Sequence, residues 1–197
     1  MSSEEKKQLR TTYKAMRREQ DPLARIEGSK KICLALQQLP IVSRGKRIFV
    51  YLSMPIEPSL DLFIEWALGQ GKEVYVPLCA KETGIMEAVR LSNLQDVEEG
   101  LLGIRIPKAI KGGYTAVEPN LIDVVLTPGV VFDAFGGRLG MGAGYYDRFL
   151  KDISEESRIG VCWDFQMRQE SVPMDDYYQC VGLVVTDKQT YKTIPKG

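Results

Sequence analysis

Apolar residues along the chain follow two rhythms, one helical and one extended, which alternate almost from end to end. Between about Ser3 and Arg18, Leu9, Tyr13 and Met16 recur at spacings of four and three, the pattern of a helix with one apolar face. Lys6 and Arg10, four residues apart, share another face of it. Ser2 and Glu5 form a capping box at its start, and Asp21-Pro22 ends it. Ile32, Leu36 and Leu39 continue a helical rhythm to about Leu39. The run from Arg47 to Leu52 is short and apolar, as in a buried strand. Pro55 and Pro58 keep the segment Ser53 to Pro58 out of helices and central strands. Ser59 caps a helix reaching about Gln70, where Gly71 stops it.

Strands are predicted over Glu73–Leu78, more weakly over Ile85–Val89, and most clearly over Leu121–Thr127, which Pro128-Gly129 closes. Val130 to Phe132 extends this strand, whereas residues 93–120 are rich in loop formers. Glycines stand at positions 136, 137, 140, 142 and 144, before a helix from Tyr145 to about Lys151. Arg158–Trp163 and Val181–Thr186 are two further strands. Strands alternating with helices predict an α/β fold with a mainly parallel or mixed sheet. The 197 residues suit a single domain, residues 1–197, burying roughly 70% of its unfolded surface.

Composition narrows the chemistry. Lys plus Arg and Asp plus Glu number 26 each, so there is no basic excess for nucleic acid. No run of about 18 apolar residues predicts a membrane helix, and Met1–Arg18 has no apolar stretch for a secretory signal. A cytoplasmic protein, working as a monomer, is expected. Cys33, Cys79, Cys162 and Cys180 are far apart, without a C-x-x-C, and are expected to be free thiols. The chain contains no histidine, which removes Ser-His-Asp and Cys-His catalysis and H-E-x-x-H zinc sites. The chemistry must rest on charge, metal and positioning.

The glycine segment, lying between a strand and a helix, is suited to phosphate: backbone N–H groups converge there and the helix start adds its dipole. It is not a Walker A loop, because Tyr145 follows Gly144 where Lys-Ser/Thr is required. A G-x-G-x-x-G reading needs glycine at Tyr145 or Asp147, and fails as well. A helix terminus contributes about 0.3–1 kcal/mol to an anion, against about 8 kcal/mol for micromolar nucleotide binding. Cations and a metal must supply the remainder. Arg138, Lys6 and Arg10 are the candidate cations, and Asp147 is the candidate Mg²⁺ ligand, while on spacing alone Lys6 and Arg10 also read as a solvated helix face and Asp147 as a carboxylate that stabilises the helix dipole.

The segment from Pro128 to Arg148, PGVVFDAFGGRLGMGAGYYDR, closely resembles the signature of the 5-formyltetrahydrofolate cyclo-ligase family, and the resemblance extends over nearly the whole chain. It implies a three-layer α/β domain that uses Mg-ATP to close 5-formyltetrahydrofolate into 5,10-methenyltetrahydrofolate. By the same resemblance Lys6, Arg10 and the loop Arg138, Leu139, Gly140, Met141, Gly142, Ala143, Gly144, Tyr145 and Tyr146 contact ATP. Lys6, Arg10 and Arg138 carry the charge stabilisation. Leu52, Glu57 and Met141 to Tyr145 contact the folate, Glu57 holding the pterin, and Asp147 binds magnesium. The chain departs from the pattern in three places. Met141 stands where many family members carry a basic residue and Ala143 where some do, and Tyr178 stands at the position of a second acidic metal ligand, for which the alternatives are Asp175, Asp176 or no replacement. Two other functions stay open at this level. One is a non-catalytic folate or nucleotide binder; the other is a sugar-phosphate isomerase or CoA-transferase-like enzyme on a similar scaffold.

Overall fold

The computed structural model describes residues 3–80, 84–100, 103–108, 113–175 and 177–194. Among these described residues five α-helices and thirteen strands follow one another as α1 (Ser3–Glu19), α2 (Pro22–Gln37), α3 (Pro40–Arg44), β1 (Arg47–Val50), α4 (Asp61–Gly69), β2 (Glu73–Ala80), β3 (Ile85–Leu91), β4 (Val97–Glu99), β5 (Arg105–Pro107), β6 (Ala116–Val117), β7 (Val124–Pro128), β8 (Val131–Asp133), β9 (Arg138–Leu139), α5 (Tyr145–Leu150), β10 (Arg158–Val161), β11 (Met167–Arg168), β12 (Leu183–Val185) and β13 (Thr190–Lys192). The predicted capping box involves Ser2, outside the described residues. Asp21, expected only to end α1, also caps α2, accepting the Ala24 N–H at 2.8 Å.

The main sheet has eight strands in the order β13-β12-β10-β7-β1-β2-β3-β6. Its centre, β12-β10-β7-β1-β2, is parallel, and antiparallel strands flank it on both sides. The predicted mixed α/β architecture is therefore present. Central strands are buried on both faces, which is why they read as unbroken apolar runs. Ile48 and Val50 of β1 point into a core shared with α2 and α4, including Ile32, Leu36, Phe63 and Ile64. Phe49 points to the other face, against Phe149 and Leu150 of α5. Helices on both sides of the sheet complete the three layers.

Two departures from the predicted elements bear on the site. Val131–Asp133 does not prolong β7: it leaves the main sheet and pairs with β9 and β11 in a small separate sheet. The cause is at Gly129, where a Cβ would lie 2.5 Å from the Phe132 ring, so the chain bends tightly and Phe132 folds back beneath it. Residues 93–120, read as loop, contain the short pair β4–β5 and the two-residue β6, which adds to β3, held by backbone bonds in segments too short to show a period.

β1 pairs with β2 on one side and β7 on the other. The strand order reverses here, so the connections after the carboxyl ends of β1 and β7 diverge and leave a crevice, the usual ligand position in open α/β sheets. The connection after β1 is the Pro55–Pro58 segment, and the one after β7 leads into the β8–β9 hairpin and the glycine loop.

Candidate functional site

The hairpin that delivers the glycine loop is built around one carboxylate. Asp133, fully buried, accepts the N–H groups of Phe135 (2.8 Å), Gly137 (2.8 Å) and Val172 (2.6 Å). This folds the turn so that Arg138 and Leu139 enter the short strand β9, with both side chains directed inward. Sequence reasoning missed Asp133 as an organiser, although the Phe-Asp pair of the signature marked its position.

Arg138 is 3% exposed. Its Nη2 donates to Asp147 Oδ1 at 2.6 Å, and its guanidinium carbon lies 5.6 Å from the centre of the Tyr146 ring. Burial pulls the Arg138 pKa down, while Asp147 and Tyr146 oppose that pull. Its Nε is buried and makes no hydrogen bond to the described residues. Burial, followed by the charge of Glu57, pushes the Tyr146 hydroxyl well above the ordinary tyrosine range, so it stays protonated. Tyr146 also packs edge-on against Phe49, 6.4 Å between ring centres. Tyr145 instead lies beneath the exposed Arg148, 5.3 Å from ring centre to guanidinium carbon. The two neighbouring tyrosines therefore face different surroundings.

The loop is held from two directions. Arg10 Nε donates to Gly140 O at 2.9 Å, joining helix and loop across 130 positions. Arg148 Nη2 donates to Ala143 O (3.0 Å) and to Gly84 O (2.9 Å). Gly144 begins α5 with φ +70°, a left-handed conformation open to glycine, and a Cβ there would meet Arg148 Nη1 at 2.8 Å. Gly142 and Ala143 are exposed, and Met141 is 53% exposed. Leu139 is fully buried and packs with Val131 and Val172, against Leu9 and Tyr13 of α1.

Lys6, on the face of α1 that carries Arg10, is 7% exposed. Its Nζ lies 2.5 Å from Asp175 Oδ2 and 4.7 Å from the centre of the Tyr178 ring. Burial lowers its pKa, but the bonds to Asp175 and Tyr178 outweigh this and the net shift is upward. Asp175 is pulled down by Lys6 first and then by the Tyr177 hydroxyl. Asp175 thus serves as the counter-ion of Lys6 in this arrangement, and Asp176 lies outside the described residues. Tyr178 packs beside Leu9 and Tyr13.

On the opposite wall, Leu52 is buried in the main core just after β1. Glu57 accepts the Met54 N–H at 3.0 Å and pairs with the buried Arg17 at 3.0 Å. Trp163 is fully buried, and its indole N–H donates to Ile56 O at 3.1 Å, a packing and bracing role. Two open cavities of about 480 and 470 Å³ flank the 53–59 segment; Glu57 lines both, and none of the glycine-loop residues lines either. The charged crevice is accordingly the better candidate site, because a nucleotide requires cations more than enclosed volume.

Among the described residues no group of three or more His, Cys, Asp or Glu side chains could hold a metal. Asp147 contributes a single carboxylate, whose Oδ1 already receives Arg138 and, at 3.4 Å, the Gln179 N–H. Magnesium usually keeps several waters and takes one or two carboxylates together with substrate phosphates. Asp147 fits a magnesium carried by a nucleotide, not a cage built by protein alone.

Fold and site together define an α/β protein with a charged, glycine-rich crevice at the switch point of its sheet. The chain belongs to the 5-formyltetrahydrofolate cyclo-ligase family, whose model matches residues 2–187. The Saccharomyces cerevisiae 5-formyltetrahydrofolate cyclo-ligase is 31% identical over 179 residues, covering 80% of this chain and 83% of the yeast protein. A Caenorhabditis elegans protein named "Probable 5-formyltetrahydrofolate cyclo-ligase" is 38% identical over 109 residues, a match spanning 54% of this chain and 53% of that protein. The solution structure of Aquifex aeolicus 5,10-methenyltetrahydrofolate synthetase superposes with a TM-score of 0.81 at 29% identity, covering 98% of this chain and 94% of that one. The predicted family and fold are therefore correct, and the chain is a ligase of this family.

Proposed function

We propose that the protein uses Mg-ATP to convert 5-formyltetrahydrofolate into 5,10-methenyltetrahydrofolate, releasing ADP and phosphate. The observation that best supports this is the bond by which Arg10, on the helix face that also carries the buried Lys6, reaches Gly140 O in the glycine loop that begins at the buried Arg138. The formyl group on N5 is an amide, and its oxygen is a poor leaving group. Attack of that oxygen on the γ-phosphate forms an O–P bond and releases ADP. N10 then bonds to the formyl carbon and loses its proton, and the C–O bond breaks to release phosphate. Each step needs alignment and neutralised charge, which a chain without histidine can provide.

In this reading Arg138 faces the transferred phosphoryl group, and Lys6 and Arg10 steady the remaining phosphates. Loop backbone from Leu139 to Gly144 orients the nucleotide, Met141 to Tyr145 touch both ligands, and Tyr146 backs Arg138. Leu52 and Glu57 hold the pterin. Bound magnesium would shield charge on the phosphate oxygens, and Asp147 would hold it together with those oxygens. Two features support a cytoplasmic enzyme acting on small molecules: the balanced charge, and the lack among described residues of a helix long and apolar enough to cross a membrane. Monomeric action is part of the same proposal.

The test is growth of the near-ultraviolet methenyl band when purified protein meets 5-formyltetrahydrofolate and Mg-ATP, with ATP omitted as the control. ATP-dependent growth is expected. A band that grows equally without ATP, or none from folded protein, would overturn the reading.

Lys6 gives a second expected result. Its raised pKa keeps its stabilising charge fully present below the ordinary lysine value of 10.5, to be lost only as pH rises through the still higher folded value. Asp175, being lowered, contributes above its ordinary 3.8 and is lost as pH falls through the folded value. Neither titrates near neutrality, so KM for ATP should stay flat between about pH 6 and 9 as far as these two groups are concerned. Lys6→Met is expected to raise that KM about tenfold, equivalent to about 1.4 kcal/mol, over the same range. Steady-state kinetics at several pH values would check both statements.

A further inference from the structure

Residues 53–58 have no helix or strand, yet side chains from four parts of the chain take up their carbonyls. Tyr51 Oη donates to Pro58 O at 2.8 Å, and Arg25 Nη1 to Pro55 O at 3.0 Å. Ile56 O receives both the Trp163 indole N–H at 3.1 Å and Arg17 Nε at 3.3 Å. Glu57 is gripped from two sides, its Oε2 by the Met54 N–H and its Oε1 by Arg17 Nη2. Arg17 is 1% exposed and the Glu57 side chain 9%.

A buried ion pair is a poor way to gain stability, since a well-packed apolar pair of similar volume does as well or better. What this pair supplies is geometry. Arg17 Nε fixes the guanidinium on a backbone carbonyl, and Nη2, which makes no aligned hydrogen bond, holds Glu57 by charge. Glu57 in turn lies close enough to Tyr146 for its charge to be felt there, and Tyr146 packs on Arg138. Arg17 sits eleven residues beyond Lys6 on the same helix, about 16 Å along its axis. Helix α1 therefore carries anchors for both walls of the crevice.

We propose that Arg17 is a positioning residue for the folate: by holding Glu57 and the Ile56 carbonyl it sets the pterin-binding loop, while Lys6 and Arg10 on the same helix serve the nucleotide. This rests on the reading above that Glu57 meets the pterin. A carboxylate has about four acceptor sites, so Glu57 can satisfy Arg17 and Met54 and still accept from a ligand.

The test uses Arg17→Lys, Glu57→Gln and their combination in the full chain, with circular dichroism to confirm folding. Arg17→Lys keeps the charge and loses the planar fork. Its KM for 5-formyltetrahydrofolate is expected to rise at least about tenfold, with KM for ATP within about twofold of the wild type. Glu57→Gln should do the same, and the double variant should be no worse than the poorer single one, as for two residues acting as a unit. An unchanged folate KM in Arg17→Lys, equal rises in both KM values, or additive effects would overturn the proposal. Should Arg17→Lys fail to fold, Glu57→Asp carries the test: it keeps a charge for Arg17 but withdraws it from the ligand. A raised folate KM supports the assignment and an unchanged one sinks it. Loss of the whole reading looks different, because the wild type itself would then make no methenyl product on addition of ATP, and the assignment would fall with it.

Discussion

Arg138→Ala is expected to lower ATP-dependent turnover at least about tenfold, a loss of about 1.4 kcal/mol at the transition state, and to destabilise the fold by about 3–5 kcal/mol. Both effects have one origin. Arg138 is almost wholly enclosed, and its only close charged partner among the described ion pairs is Asp147, whose side chain is 13% exposed. Alanine would leave that carboxylate with the 3.4 Å contact to the Gln179 N–H and no counter-charge, while opening space beneath the Tyr146 ring. Arg138→Lys separates the two consequences. A lysine keeps the charge but presents a single compact head in place of a planar fork, so much of the stability should return while turnover stays depressed. Rates normalised to the folded fraction, together with denaturant unfolding of both variants, would check this. Full turnover in folded Arg138→Ala would remove Arg138 from the mechanism.

Much of this fold was readable in the chain, for a physical reason. β1, β2, β7 and β10 are buried on both faces and read as apolar runs, and α1 shows its single packed face through Leu9 and Tyr13. The two-residue strands β9 and β11 were not readable, because segments so short have no period and exist only through their partners. The departure of β8 from β7 depends on the missing side chain at Gly129, where a Cβ would meet a ring three residues ahead, and no alternation records that. In the site, the glycine loop and its flanking residues were visible as a motif. The pairings were not: Arg10 with Gly140, Lys6 with Asp175 and Arg17 with Glu57 join positions that only the folded topology brings together. Asp175, expected from sequence as a possible substitute metal ligand, pairs with Lys6, because α1 lies against the segment after β11.

Asp133→Ala should also produce a large loss of stability, at least about 3 kcal/mol, although this carboxylate touches neither proposed ligand. It is fully buried and accepts three backbone N–H groups, those of Phe135, Gly137 and Val172. Each buried donor left without a partner costs about 1–3 kcal/mol, and a methyl group replaces none of them. The site allows little relaxation, because Gly137 packs so closely on the carboxylate that a Cβ would lie 2.3 Å from Oδ2. For a chain of this size about 2–4 °C of melting temperature accompanies each kcal/mol, so a fall of roughly 6–12 °C or more is expected by calorimetry. Asp133→Asn should lie between the variant and the wild type, since an amide keeps one acceptor oxygen and turns a donor toward the remaining N–H groups. Arg138 follows Gly137 directly, so a relaxed turn also moves the guanidinium, and the folded fraction of either variant should show reduced kcat as well as reduced stability. A normal melting temperature with normal kcat would mean that the β8–β9 turn is held by its backbone alone, and that the aspartate of the Phe-Asp pair has no part in aiming Arg138.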